Sequence, residues 1–304
     1  MAGVRHYAQL HFIVLLWGFT AILGLLISIP AVELVFYRTL LSFLGLFILL
    51  YFRKELVIPG RLSSLKFLST GILFSVHWIF FFEAARVSNA SVTLVGMSTV
   101  TLWTALLGPL VTRQKLKIFE VVLGAFIILG IYIVFKADIK YKTGLIMAMI
   151  SAICAAIFML INSGFTRQYN HFVIMSYEML GACITTAFFL PFYKIYLTDS
   201  GKLHMIPSSL DWIYILVLAL VCTVYAYSTS IKLMKKFSPY TINLVVNMEP
   251  VYGILLALVI FGDREKMTYS FYMGAFVIIA AVFCYPVLNR ILMKKKISFQ
   301  NNAN

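Results

Sequence analysis

Glu249 is a carboxylate set deep in an apolar run, and its surroundings suggest chemistry. It belongs to the stretch from Ser238 to Asp263, which reads as one membrane-spanning helix. Ser238 suits an N-cap, and Pro239 suits the first helical position. Glu249 then lies roughly 15 Å into the helix, near the bilayer midplane. An acid at that depth is costly and marks a functional site by default. It could take up a proton or hold a cationic substrate group. Pro250 removes a backbone donor and is expected to kink the helix, freeing carbonyls beside the acid. Asn243 and Asn247 precede it on the same helix, either lining a pathway or joining helices through hydrogen bonds.

Other polar residues interrupt apolar runs. Arg38 follows Glu33 at the start of the second run; it could attract an anionic group or snorkel to the surface. His77 stands between Val76 and Trp78 in the third, where a packed, hydrogen-bonded histidine is the plain reading and contact with a substrate the sharper one. Glu83 and Arg86 are three residues apart, on one helix face, which suits an interfacial ion pair or a gate. Glu178 sits early in the seventh run, within reach of Arg167 or a loop lysine. Tyr225, Tyr227 and Trp17 lie at depths where a flat ring with a polar tip can recognise a small ligand; most such aromatics simply pack. Pro109 is a second candidate hinge beside Pro250.

These residues need a membrane to position them. Of 304 residues 62% are hydrophobic and 12% charged, about half the charge of a typical soluble domain. Ten spans are expected, near 9–29, 33–52, 65–85, 90–111, 118–136, 143–165, 171–193, 211–231, 239–261 and 268–288, each about twenty residues long. The first run is read as retained and not as a cleaved signal peptide. The net charge of +14 comes from short basic loops and not from a nucleic-acid footprint. With the N-terminus inside, inner segments carry sixteen Lys and Arg and outer segments eight, so both termini are expected in the cytoplasm. The basic tail from 289 to 304 is expected to be loose. The four cysteines lie in apolar runs without a CxxC pair, and neither a metal site nor a cofactor is expected.

An internal repeat runs through the chain. At an offset of 150 residues, Ser88–Val134 aligns with Ser238–Cys284 without a gap. Ser88 meets Ser238, Leu94-Val95 meets Leu244-Val245, and Gly124-Ala125-Phe126 meets Gly274-Ala275-Phe276. Thr99 stands opposite Glu249, so the acid breaks the symmetry. Five spans per half forces the halves to insert in opposite senses, as in many secondary transporters. The fold class is thus an all-α polytopic membrane protein of ten transmembrane helices, two inverted five-helix repeats at 9–136 and 143–288.

Four elements resemble the EamA-type branch of the drug/metabolite transporter superfamily. They are Leu15-Leu16-Trp17-Gly18, Phe36-Tyr37-Arg38, Glu249-Pro250-Val251 with Phe261-Gly262-Asp263-Arg264, and Gly274-Ala275-Phe276-Val277-Ile278. The chain departs from the family pattern at Thr99-Val100, where a proline is usual, at Thr112-Arg113-Gln114, where Gly-Glu is frequent, and at Asp263, where Glu is usual. The resemblance implies a non-enzymatic carrier working by alternating access. The expectation is export of amino-acid-like or amphipathic metabolites across the plasma membrane, with proton coupling through Glu249 as one mode. The alternative is a membrane enzyme acting on lipids or lipid-linked sugars. Expected partners are a small-molecule substrate and the lipid bilayer; a homodimer is allowed, and no nucleic acid is expected.

Overall fold

The computed structural model describes residues 4–112, 118–137, 141–166, 168–198, 201–234, 237 and 245–302. Among them the chain is helical, without strands. The helices are α1 (Val4–Gly18), α2 (Thr20–Leu26), α3 (Ala31–Phe52), α4 (Arg61–Val87), α5 (Ala90–Ser98), α6 (Val100–Thr112), α7 (Ile118–Ala137), α8 (Lys142–Phe165) and α9 (His171–Tyr196). Then come α10 (Ser209–Leu216), a π-helical segment (Val217–Tyr225), α11 (Ala226–Met234), α12 (Glu249–Phe261) and α13 (Tyr269–Asn302).

Seven stretches among the described residues are long and apolar enough to cross a membrane: Val4–Leu26, Ala31–Phe52, Arg61–Val87, Ala90–Leu110, Lys142–Phe165, His171–Tyr196 and Ser209–Ser230. Ile118–Val134 and Tyr269–Cys284 are shorter apolar helices. The expected ninth span starts on residues 238–244, outside the described residues, as do Ser238, Pro239 and Asn243. The last helix does not end near 288. It runs on to Asn302 through Lys294, Lys295 and Lys296, good helix formers, so the described part of the tail is helical.

Side-chain caps start several helices. Asn89 Oδ1 accepts from Val92 N at 2.9 Å, and Asn170 Oδ1 from Phe172 N at 3.0 Å. At α10, Ser208 and Asp211 cap each other reciprocally.

Burial follows three clusters. One joins α2, α3, α4 and α9 through Ile22, Leu34, Phe82 and Met179. A second joins α5, α7 and α13 through Val92, Ile127 and Ile278. A third joins α1 to α11 through Leu10, Ile13 and Leu233. Small residues let helices approach closely, as they must where lipid is as apolar as the side chains. A Cβ on Gly18 would lie 2.9 Å from Glu249 O and from Gly253 N, and one on Gly130 would lie 2.9 Å from Gly274 O. The outward faces are greasy: on α7, Val121, Phe126, Ile128 and Tyr132 are exposed.

The loops gather at two ends. At the end opposite the N-terminus, Ser28 binds Asp211, His204 N donates to Glu33 Oε1 at 3.1 Å, and the Glu265 carboxylate accepts from Ala90 N and Ser91 N at 2.9 and 3.0 Å. At the N-terminal end, Asn170 Nδ2 donates to Glu55 Oε2 at 3.1 Å, and the Ser63 and Tyr169 hydroxyls are 2.8 Å apart.

Candidate functional site

Glu249 does not sit in the middle of a continuous helix. A turn at Asn247 and Met248 interrupts the run, and Glu249 opens α12 with Pro250 in its first turn. A proline in that place removes an N–H that has no intrahelical partner anyway, so the break falls before Pro250 and not at a kink after it. Glu249 is half-buried as a residue, and its carboxylate has no hydrogen-bond partner among the described residues. The Gly18–Gly253 contact brings α1 against this turn. Next to Gly18, Trp17 Nε1 donates to Cys222 O at 3.2 Å, tying α1 to the π-helical segment. One turn into α12, the Tyr252 hydroxyl lies 2.6 Å from His11 Nδ1. Asn247 turns the other way: its Nδ2 donates to Val282 O at 3.3 Å, so its amide joins helices.

Two further spans are interrupted among the described residues, Val4–Leu26 at Phe19 and the α5–α6 pair. In the pair the break is at Thr99, whose hydroxyl donates to Gly96 O at 2.7 Å and accepts from Trp103 Nε1 at 3.1 Å. A threonine that bonds back to its own turn competes with the helical ladder. The helix runs on through Pro109, so the interruption of this span is at Thr99, ten residues before the expected hinge.

Arg38 does not snorkel. It is 4% exposed and turned into the bundle. Its Nε and Nη2 donate to Thr223 Oγ1 at 3.2 and 3.0 Å. The guanidinium lies 4.0 Å from the centre of the Trp78 ring and 5.6 Å from that of Phe82, so cation–π attraction supplies part of the hydration it has lost. Nη1 has no partner. Thr223 belongs to the π-helical segment, and its hydroxyl donates five residues back to Leu218 O at 2.8 Å. Such wide turns within helices are frequent at functional sites. Tyr37, the adjacent residue, serves the loop end instead, donating to Met205 O at 2.5 Å.

Glu178 is 1% exposed on α9. The Asn162 amide of α8 lies against it, and Tyr227 of α11 is an electrostatic neighbour. Glu178 Oε1 and Asn162 Oδ1 have no partner. Arg167 lies outside the described residues. Tyr225 points elsewhere and is 43% exposed, so the two tyrosines do not share a surface. His77 is locked to Ser151: its Nδ1 lies 2.7 Å from Ser151 Oγ, and that hydroxyl also lies 2.8 Å from His77 O. Glu83 and Arg86 form no ion pair within 4 Å. Arg86 Nη2 donates to Gly24, Ile27 and Ile29 carbonyls at 3.3, 3.2 and 2.5 Å, because the carbonyls at and just past the end of α2 attract a cation.

The family profile of EamA-like transporters matches residues 8–136 and again 142–285, nearly the whole chain. The chain belongs to the EamA-like transporter family. It is a multi-pass membrane transporter of the drug/metabolite type; the family's members are transporters and not enzymes. A solved structure titled only as the crystal structure of a protein superposes with a TM-score of 0.61, over 92% of this chain and 96% of that one. At 15% identity this likeness shows the fold alone. Among curated proteins none matches by sequence.

In this EamA-like chain several site residues escape sequence reasoning. Thr223, Asp211 and Glu265 are ordinary polar residues whose partners are 185, 183 and 175 residues away. His11 had one signal, a lone titratable ring in an apolar run.

Proposed function

We propose that this protein is a secondary carrier that exports small amino-acid-like or amphipathic metabolites across the plasma membrane by alternating access. Its working parts are two inverted five-helix repeats, 9–136 and 143–288, with both termini cytoplasmic. Glu249 takes up and releases the coupling proton.

One observation carries the reading. The two spans that the 150-residue offset pairs each carry a short turn at matching places, Thr99 and the adjacent Asn247 and Met248, while a third such turn lies at Phe19 in Val4–Leu26. Broken helices near the midplane are where carriers of this architecture place their sites. At the level of whole helices, contacts cross between the two halves. Gly96 of α5 packs on Ala148 of α8, and Gly253 of α12 packs on Gly18 of α1. Helix α7 crosses its own repeat mate α13 at Gly130 and Gly274. At the Glu249 break the carboxylate has no hydrogen-bond partner among the described residues, which leaves it open to take up a proton.

The test is transport by purified protein in liposomes. Amino acids, nucleosides, sugar phosphates and cationic drugs are offered with and without a pH gradient, and contents are read by mass spectrometry against empty vesicles. Gradient-driven movement of one class, lost in Glu249→Gln, is expected. Movement indifferent to the gradient would remove the proton from Glu249. No movement by folded protein would remove the carrier reading.

A further inference from the structure

Arg38 and Glu178 occupy the same place in two helices that pack together. Each is the eighth residue of its helix, counted from Ala31 in α3 and from His171 in α9. A tyrosine precedes each, Tyr37 and Tyr177, and a leucine follows two residues on, Leu40 and Leu180. The two helices meet where Thr39 lies against Cys183. One is a base and the other an acid, and both side chains are closed from solvent, at 4% and 1% exposure.

Neither side chain has an ion-pair partner among the described residues. Each pole also keeps unpaired polar atoms: Nη1 of Arg38 on one side, Oε1 of Glu178 and Oδ1 of Asn162 on the other. A buried charge without a counter-charge is strongly unfavourable, and so is a buried donor or acceptor left unpaired.

A third helical run passes both poles. Arg38 is anchored on Thr223, and Glu178 neighbours Tyr227. Thr223 and Tyr227 are four residues apart, on one face and roughly 6 Å along the axis.

We propose that Arg38 and Glu178 are the two poles of one binding site for a dipolar ligand, with a small anionic group such as a carboxylate on Arg38 and an ammonium group on Glu178 and Asn162. The guanidinium offers a planar fork suited to a carboxylate; Thr223 holds its Nε and Nη2, and Nη1 is left for the ligand. An ammonium has three donors and no acceptor, which matches a pole whose two open atoms, Oε1 and Oδ1, are both acceptors. The ligand supplies at each pole the charge the fold withholds. Both poles are covered in this structure, so the ligand reaches them when the helices part. The inference rests on the carrier reading and goes beyond it by naming the residues and the ligand class.

Equilibrium binding to the purified full chain in detergent tests it. The probes are leucine, its decarboxylated amine and its deaminated acid, with the corresponding phenylalanine set. The amino acid of at least one set is expected to bind roughly ten- to hundredfold more tightly than either analogue. Arg38→Gln should bring amino acid and amine to equal affinity. Glu178→Gln should bring amino acid and acid to equal affinity. A merely structural role would weaken all three probes together in both variants. The idea is overturned by wild-type protein that binds an amine or an acid as well as the amino acid, by no binding of any probe, or by variants that shift preference alike. Should a variant fail to fold, the wild-type panel alone decides. Flux of the same probes in liposomes separates the two claims. Binding without flux leaves the site and removes the carrier; flux without preference for dipolar probes leaves the carrier and removes the site.

Discussion

Asp211 holds Ser28 with both carboxylate oxygens: Oδ1 accepts from the Ser28 N–H at 2.8 Å, and Oδ2 accepts from its hydroxyl at 2.5 Å. The same Oδ2 caps Ser208 N at 2.9 Å. One carboxylate thus starts α10 and clamps the turn that ends α2. Hydrogen bonds to a charged group are worth about 1.5–3 kcal/mol each. Asp211→Ala is expected to lower the thermal midpoint in detergent and to open this end of the bundle. Labelling of an Ile29→Cys probe, a position 3% exposed, should speed up in Asp211→Ala and stay slow otherwise. Unchanged labelling would mean that the clamp does not hold this end closed.

Glu265 does a similar job across a different pair. Its two oxygens take the N–H groups of Ala90 and Ser91, the orphan donors at the start of α5. Glu265→Ala leaves both buried and is expected to cost about 1–3 kcal/mol. Glu265→Gln keeps one acceptor oxygen and should recover part of that. Thermal unfolding of the three proteins side by side reads the order; equal midpoints would dismiss the cap.

The fold was legible because lipid sets one dominant rule. A backbone in hydrocarbon must satisfy itself, so spans read as long apolar helices, and charges inside them stand out. Arg38, Glu178 and Glu249 were visible for that reason. Their surroundings were not. That Arg38 turns inward depends on Thr223 and Trp78, which only packing brings to it. Pro109 and Pro250 looked like the hinges because proline is the residue that removes a donor. The interruptions fall at Thr99 and before Glu249, since one proline is absorbed within α6 and the other sits in a first turn where its missing N–H is harmless. Glu83 and Arg86 have the spacing of a pair, but the carbonyls ending α2 hold the guanidinium.

The Gly18–Gly253 crossing should tolerate no side chain. A Cβ on Gly253 would come within 2.8 Å of Gly18 O and 2.4 Å of Leu94 Cδ1. Gly164 is a control of opposite sign, with nothing within 4 Å of its Cβ position. Gly253→Ala is expected to destabilise by about 1–3 kcal/mol, the usual range for overpacking. Gly164→Ala should stabilise by up to about 1 kcal/mol through helix propensity. Size-exclusion profiles and thermal midpoints check both; a neutral Gly253→Ala would mean that α1 and α12 can part freely at this point.

Glu249 and Asn247 flank one turn and are expected to separate function from stability. The Glu249 carboxylate makes no hydrogen bond within the described residues, so the isosteric Glu249→Gln should change the thermal midpoint little. Asn247 donates to Val282 O, and Asn247→Ala should cost about 1 kcal/mol, the worth of one such bond. Transport should show the opposite ranking. Glu249→Gln is expected to lose the response to a pH gradient while folding normally, and Asn247→Ala to keep that response at a rate reduced only as far as the folded fraction falls. Flux and unfolding measured on the same preparations give four values. A destabilised Glu249→Gln, or an Asn247→Ala that folds well but ignores the gradient, would exchange the roles assigned to these two residues.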